Sequence, residues 1–490
     1  MTITLNNPKF RYEMENLTRI FLPGQDLQTP DGSADLFADE HIATATVTLD
    51  GHTATHTADC CLPTTHATYN SAEQEYGIIT PEIRLGQALY QCLQELTGTP
   101  PPPWGVLTGV RPTKLFRRIA ERDGESAAAE YFARELFVRA DKIALARAVF
   151  HGQRKILGRG APQSFSLYVG IPFCPSRCAY CSFVSHSITE QKAQKLIPAY
   201  VERLCEEIRV TGKIARELSL RLESVYFGGG TPTTLSALQL DSLLSAVDGS
   251  FELSTCREYT VEAGRPDTVT AEKFEVLRRH GVGRVSVNPQ TFDDDVLRII
   301  GRAHTAEQAR TAYHLAREYG FAVNMDFIAG LPGDTPEGFA RSIDEATALA
   351  PENITVHALA IKRAARLAAN SAQGEPARFA DGLSKVNSAL TDAAYRPYYS
   401  YRQSNSLGAL ENTGWAKSHF ASAYNIYMME EAHTVLACGA GAVTKLKEPC
   451  GDKIERVFNF KFPYEYLSRF AEILTRKEEI TSFYRNRGIL

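Results

Sequence analysis

The sequence predicts an α/β fold: an incomplete (β/α)6 barrel with an α/β region before it and a mainly helical region after it. Three observations carry that prediction. Six short β-rich segments recur between residues 165 and 359, helical patterns fill most of the gaps, and the Gly- and Pro-containing stretch Gly158–Pro162 precedes the first of them. Strand–helix alternation implies parallel pairing, because parallel neighbours need a crossover. A doubly wound open sheet would satisfy the same alternation.

At 490 residues the chain is long enough for two or three domains of about 150 residues each. The elements divide it into an N-terminal region over 1–160, a core over 161–370 and a C-terminal region over 371–490 that would cover a substrate. In the first region His41–Leu49 is β-prone and Asp50-Gly51 follows it, a hairpin signal. From Ile83 to Leu96 apolar residues recur at helical spacing. Four prolines, Pro100–Pro103, interrupt the chain, and helical patterns rich in Ala and Arg then continue to Leu157.

The core strands are expected at Phe165–Ile171, Glu223–Phe227, Glu258–Glu262, Arg284–Val287, Ala322–Ile328 and Asn353–Leu359. Between the first two, Leu196, Ile197, Tyr200, Val201, Leu204 and Ile208 mark a crossover helix. Beyond residue 376 the pattern is more helical, with Tyr395, Tyr398, Tyr399 and Tyr401 crowded together.

Composition narrows the function. The 53 basic and 57 acidic residues leave a formal charge of −4, which disfavours a nucleic-acid binder relying on bulk positive charge. With 44% hydrophobic and 22% charged residues the chain is expected to be globular rather than disordered. Met1–Arg11 lacks the apolar segment of an export signal, and no run of 18 apolar residues predicts a membrane span. The ten cysteines are therefore expected as thiols or metal ligands in the reducing cytoplasm.

The sharpest signal is Cys174-Pro-Ser-Arg-Cys178-Ala-Tyr-Cys181, immediately after the first core strand. Thiolates so spaced on one loop can face a common centre, and soft thiolates select zinc or iron–sulfur clusters. A closed zinc site needs a fourth ligand, for which Cys205, Cys256, Cys438 and Cys450 are available. Three thiolates on a [4Fe–4S] cube would instead leave one iron open to a ligand. Packed thiols without metal are the third possibility.

The CxxxCxxC spacing, with Tyr168 before it and Tyr180 within it, resembles the radical S-adenosylmethionine (SAM) superfamily. The ordered series YVGIPF, CPSRCAYC, GGGTP, VEAGRPD, SVNPQTF, IIGRAHT and DFIAGLPGDT is similar to one branch, the oxygen-independent coproporphyrinogen III dehydrogenases, and most of all to their HemZ variant. The likeness runs from Leu167 to Asp334. It continues more loosely in GVRPTKL, HALAIKRAARL, Tyr399–Asn405 and Cys438–Ala442.

The resemblance implies a partial barrel of the radical SAM type, a [4Fe–4S] cluster on Cys174, Cys178 and Cys181, and SAM on the open iron. By the same carry-over, Gly228, Gly229, Gly230 and Thr231 hold the SAM amino group through their backbone. Tyr168, Tyr180, Glu262, Gln290 and Arg302 contact SAM, and Asp326 meets its ribose. The implied reaction converts two propionates of coproporphyrinogen III to vinyl groups without oxygen, giving protoporphyrinogen IX in heme biosynthesis. The implied partners are the porphyrinogen and a reducing electron donor such as flavodoxin or ferredoxin. Lys362, Arg363 and Arg366, after the sixth strand, are candidates for pairing with substrate carboxylates.

Two positions depart from the studied dehydrogenases: Gly170 replaces a histidine and Phe183 replaces an additional cysteine, with His186 nearby as a possible substitute. A related branch shares the same core but acts as a heme chaperone, and for that function His304, His357 and His433 are candidate axial ligands. Radical SAM modification of a nucleic acid is a third function, which the acidic balance disfavours.

Overall fold

The computed structural model describes residues 1–22, 32–60, 80–183, 185–360, 376–403, 406–449 and 451–487. They form two compact units. The first comprises the described residues of 1–151, 369–384 and 400–412, and the second those of 152–368, 385–399 and 413–490.

In the first unit four strands lie side by side in chain order, Thr2–Leu5, Gly32–Ala38, Ile42–Leu49 and His52–Asp59. The Asp50-Gly51 turn forms as its sequence requires, with φ of 48° and 80° at the two central residues. Ala43, Ala45, Val47 and Leu49 face a core closed by the helices Arg11–Phe21 and Pro81–Thr97. The second helix covers the span its periodicity marks. Thr80 caps it by accepting from the Ile83 N–H, and Gly98, at φ 60°, ends it.

Residues late in the chain complete this unit. The Glu411 carboxylate is buried and accepts from Lys142 Nζ at 2.6 Å and from Trp104 Nε1 at 2.8 Å. Burial alone would raise its pKa, but the Lys142 charge and the hydrogen bonds hold it below the usual glutamate value.

The second unit carries the predicted barrel strands. Ser164–Ile171, Arg221–Gly229, Glu258–Glu262, Arg284–Ser286, Ala322–Ala329 and Asn353–Ala358 are neighbours in chain order, and every adjacent pair is parallel. Their crossovers are helical, the first being Gln191–Glu217. This is the α/β architecture of a partial (β/α)6 barrel.

The tail differs from the mainly helical region expected. Besides the helices Pro376–Asp392, Ala423–Glu430, Pro463–Ser468 and Phe470–Arg485 it supplies five strands, extending the sheet to eleven. Thr434–Cys438 pairs in parallel with the first barrel strand, and Glu411–Ala416 pairs antiparallel with the sixth. The reason is physical: a six-stranded partial barrel leaves two open edges, whose N–H and C=O groups need partners. No described helix is long and apolar enough to cross a membrane.

Candidate functional site

The site grows from the carboxyl ends of the six parallel strands, where parallel α/β folds place their ligands. A two-residue parallel ladder, Phe173–Cys174 with His186–Ser187, closes the loop after the first strand. Its backbone bonds are His186 N–H to Pro172 O at 2.8 Å and Ile188 N–H to Cys174 O at 2.9 Å. All three cysteines of the motif therefore stand on one short closed loop. The Ala179 N–H donates to Ile300 O at 2.9 Å, fastening that loop near Arg302.

Burial raises the pKa of the Cys174 and Cys181 thiols, so their thiolates need a compensating positive centre. Among the described residues no three His, Cys, Asp or Glu side chains converge closely enough to hold a single ion. A four-iron cube makes a different demand, because each thiolate binds its own iron. The described cysteines are all free thiols. Cys205, Cys256 and Cys438, the candidate fourth zinc ligands, donate to Ser242 O, donate to Glu258 O and bond with the Thr211 hydroxyl, respectively. Cys450 lies outside the described residues.

Gly228–Gly230 end the second strand beside this loop. Gly170 is in register with Gly228, and Ile171 with Gly229. Gly230 N–H donates to Ile171 O at 2.7 Å and Thr231 N–H to Phe173 O at 2.8 Å. A Cβ on Gly230 would stand 2.5 Å from Phe173 O, so only glycine permits this approach. The Thr231 hydroxyl lies 3.5 Å from Cys174 Sγ.

Two carboxylates face the interior from the third and fifth strands. Glu262 is half-buried and accepts from the Tyr226 hydroxyl at 2.6 Å. Desolvation, reinforced by the Asp326 charge, lifts its pKa to about 7 despite that bond. Asp326 is pushed the other way. Burial would raise it, but His357, with Nε2 at 3.8 Å, and Asn324 Nδ2, donating at 2.8 Å, hold it below the usual aspartate value. The ring of Tyr226 lies nearly parallel to that of Tyr424, centroids 4.3 Å apart, and Tyr168 lies 6.4 Å from both.

Gln290 is buried at a left-handed φ of 71°, held by its N–H on Asp326 O at 2.9 Å and by Ile328 N–H on its own carbonyl at 3.0 Å. Non-glycine residues in that conformation persist only where the surroundings enforce it. Arg302 ties three segments together. Its guanidinium donates to Asn288 O at 2.8 Å, Gly264 O at 3.2 Å and the Tyr180 hydroxyl at 3.2 Å. Its Nε and the Asn288 Oδ1 are buried without a hydrogen-bond partner, an unmet demand of the kind a polar ligand satisfies.

The candidate residues before Gly330 thus gather at one end of the sheet. Lys362, Arg363 and Arg366 lie outside the described residues. Phe183 is 66% exposed. His186 Nε2 is buried without a hydrogen-bond partner, and desolvation lowers the ring's pKa. His304 is buried with both ring nitrogens unpartnered and a pKa depressed to about 3 by desolvation and by Arg302 and Arg265. His433 bonds to the Ser166 hydroxyl at 2.8 Å near the amino end of the first strand, away from the cysteine loop. Sequence reasoning passed over Arg265, Tyr226 and Tyr424. For Arg265 the available signal was a cation three residues beyond a strand-end carboxylate.

The radical SAM superfamily model matches residues 168–346. Over 387 residues the chain is 38% identical to the oxygen-independent coproporphyrinogen-III oxidase-like protein HemZ of Bacillus subtilis, covering 76% of each chain. The chain belongs to the radical SAM superfamily, in the oxygen-independent coproporphyrinogen III dehydrogenase family that includes HemZ. It is also 36% identical over 199 residues to the heme chaperone HemW of B. subtilis, covering 40% of this chain and 51% of that one. Among solved structures it resembles the coproporphyrinogen III oxidase HemN from Escherichia coli, at 23% identity and a TM-score of 0.50 over 65% of this chain and 72% of that one. Radical SAM membership implies SAM and a [4Fe–4S] cluster. The donor set fits them: three thiols on one loop, a glycine cradle beside them and unsatisfied buried polar atoms around it.

Proposed function

We propose that this protein is an oxygen-independent coproporphyrinogen III dehydrogenase, converting two propionate side chains to vinyl groups and yielding protoporphyrinogen IX. One observation carries the reading. The cysteine loop, Gly228–Thr231, Glu262 and Gln290 end or follow successive parallel strands, Asp326 lies within the fifth, and Arg302 bonds the segments after the third and fourth, in a chain 38% identical to HemZ.

In this reading Cys174, Cys178 and Cys181 would hold the cluster and leave one iron open for SAM. When bound, cluster and SAM supply one-electron, hydrogen-abstracting chemistry. The rest falls to the chain. The backbone of Gly228–Thr231 and the Glu262 carboxylate would receive the SAM ammonium, and Arg302 would offer its unpartnered Nε to the carboxylate. Asp326, kept ionised by His357 and Asn324, accepts from the ribose hydroxyls, while Gln290, Tyr168 and Tyr180 line the pocket. Lys362, Arg363 and Arg366 are assigned to the substrate carboxylates on their charge alone. Each event removes one hydrogen atom, one further electron and carbon dioxide from a propionate, the electron passing to an external acceptor.

Heme carriage is the competing function. Of the three candidate axial ligands, His304 and His433 are buried and His357 faces Asp326, Nε2 at 3.8 Å, which supports turnover instead. The test is an oxygen-free assay of reconstituted protein with coproporphyrinogen III, SAM and dithionite. The expected result is a divinyl product with 5′-deoxyadenosine. Tight heme binding with no vinyl product would overturn the proposal in favour of a chaperone.

A further inference from the structure

The third barrel strand, Glu258–Glu262, runs on into Ala263–Asp267, and the cation in that segment has no place in the SAM pocket described above. Arg265 is 2% exposed, and its guanidinium is fully engaged. Nε and Nη2 donate to the two oxygens of Asp267, both at 2.9 Å, in a bidentate fork. Nη1 donates to Ser176 Oγ at 3.0 Å and Ser176 O at 3.3 Å, and lies 3.9 Å from Cys178 Sγ. The backbone is equally constrained: the Thr268 N–H and hydroxyl both donate to Arg265 O, at 2.9 and 2.7 Å. Burying a charged side chain is costly unless its partners are fixed, and here they aim one edge of the guanidinium at a single sulfur of the cysteine loop.

We propose that Arg265 is a positioning residue that sets the reduction potential of the cluster through its approach to Cys178 Sγ. The proposal rests on the reading that Cys174, Cys178 and Cys181 carry a [4Fe–4S] cluster. Donors to cluster sulfurs and nearby positive charge both favour the reduced state, because reduction adds negative charge to the cube. The step concerned is the addition of one electron, from [4Fe–4S]2+ to [4Fe–4S]1+, drawn from an external low-potential reductant with no bond made or broken. Asp267 opposes Arg265 from behind, so the pair behaves as a dipole with its positive end toward the sulfur. Ser176 fixes the distance.

The test is a redox titration of reconstituted, SAM-free protein with dithionite and mediators, followed by electron paramagnetic resonance, with iron and sulfide counted for each variant. Arg265→Gln is expected to lower the equilibrium constant for reduction about tenfold, a shift of about 59 mV to more negative potential. Arg265→Lys, which keeps the charge and loses the fork, is expected to recover part of the shift. Asp267→Asn is expected to move the potential the opposite way. A purely structural clamp would change cluster content without moving the potential. If Arg265→Gln keeps four irons and titrates with the wild type, the proposal is overturned while the cluster assignment stands. Should Arg265→Gln fail to hold iron, an unshifted Asp267→Asn overturns it equally. Wild-type protein that assembles no four-iron cluster would instead overturn the cluster assignment, and this inference with it.

Discussion

Two carboxylates within the second unit show how the same side chain serves different ends. Glu207, in the helix Gln191–Glu217, is fully buried and saturated. Oε2 accepts from Gly439 N–H and Tyr466 Oη, both at 2.8 Å, and Oε1 accepts from Asn459 Nδ2 at 2.7 Å and pairs with Lys477 Nζ at 2.9 Å. Among the described residues Glu262 accepts from one side chain, Tyr226, and a second carboxylate across the pocket raises its pKa. The first arrangement ties Gly439 of the Cys438–Ala442 loop, Asn459, Tyr466 and Lys477 to the helix Gln191–Glu217. The second leaves a carboxylate with unfilled capacity, and such capacity marks a place for a cation to arrive. Saturation, more than burial, separates scaffold from site.

Loss of a cysteine of the motif is expected to have the largest effect. Cys174→Ala, Cys178→Ala and Cys181→Ala are each expected to abolish cluster absorbance after anaerobic reconstitution while leaving far-ultraviolet dichroism unchanged. Four irons retained in any of these variants would refute the ligand assignment. Next in size is Glu207→Ala, which strands Lys477 as a buried unpaired charge and is expected to cost about 3–5 kcal/mol in urea unfolding. A variant as stable as wild type would mean that the saturated network is not scaffold.

Smaller effects sharpen the contrast. Arg302→Lys and Asp326→Asn are each expected to weaken SAM binding about tenfold, roughly 1.4 kcal/mol, with cluster content unchanged by iron assay. Unaltered affinity in both would remove them from the pocket. Glu262→Gln should separate by pH. Because folding raises this carboxyl from 4.5 to about 7, its contribution to stability is greatest below 4.5 and is lost as pH rises through 7. The variant should therefore gain stability relative to wild type across that interval, read as a rising difference in urea midpoint, and lose SAM affinity. The smallest change is Tyr226→Phe. It removes the 2.6 Å donor, lifts the Glu262 pKa further and displaces the pH dependence of SAM binding upward. An identical pH profile would show that the Tyr226 hydroxyl does not act on Glu262.

All six barrel strands were legible because parallel strands buried on both faces read as compact apolar runs between glycines and helical patterns. The cysteine loop and Gly228–Gly230 were legible because their chemistry is concentrated in adjacent residues. What escaped was assembled from distance. Glu207, Asn459, Tyr466 and Lys477 look individually like polar faces of ordinary elements, and only the fold brings them to one point. Tail strands such as Thr434–Cys438 and Val443–Lys447 are five residues each, too short for alternation to separate them from turns. Arg265 was visible as a letter, but its partners Ser176 and Cys178 lie almost ninety positions earlier.

The ion pair between Lys142 and Glu411 spans 269 positions of chain. A ribosome thus delivers all six barrel strands before the carboxylate that neutralises Lys142 exists. The first unit cannot finish its interior during the early part of synthesis, and cutting the gene after residue 151 would yield a fragment in which Lys142 keeps Asp141, at 3.9 Å, and lacks Glu411, at 2.6 Å. What is first in the message is among the last things to be closed.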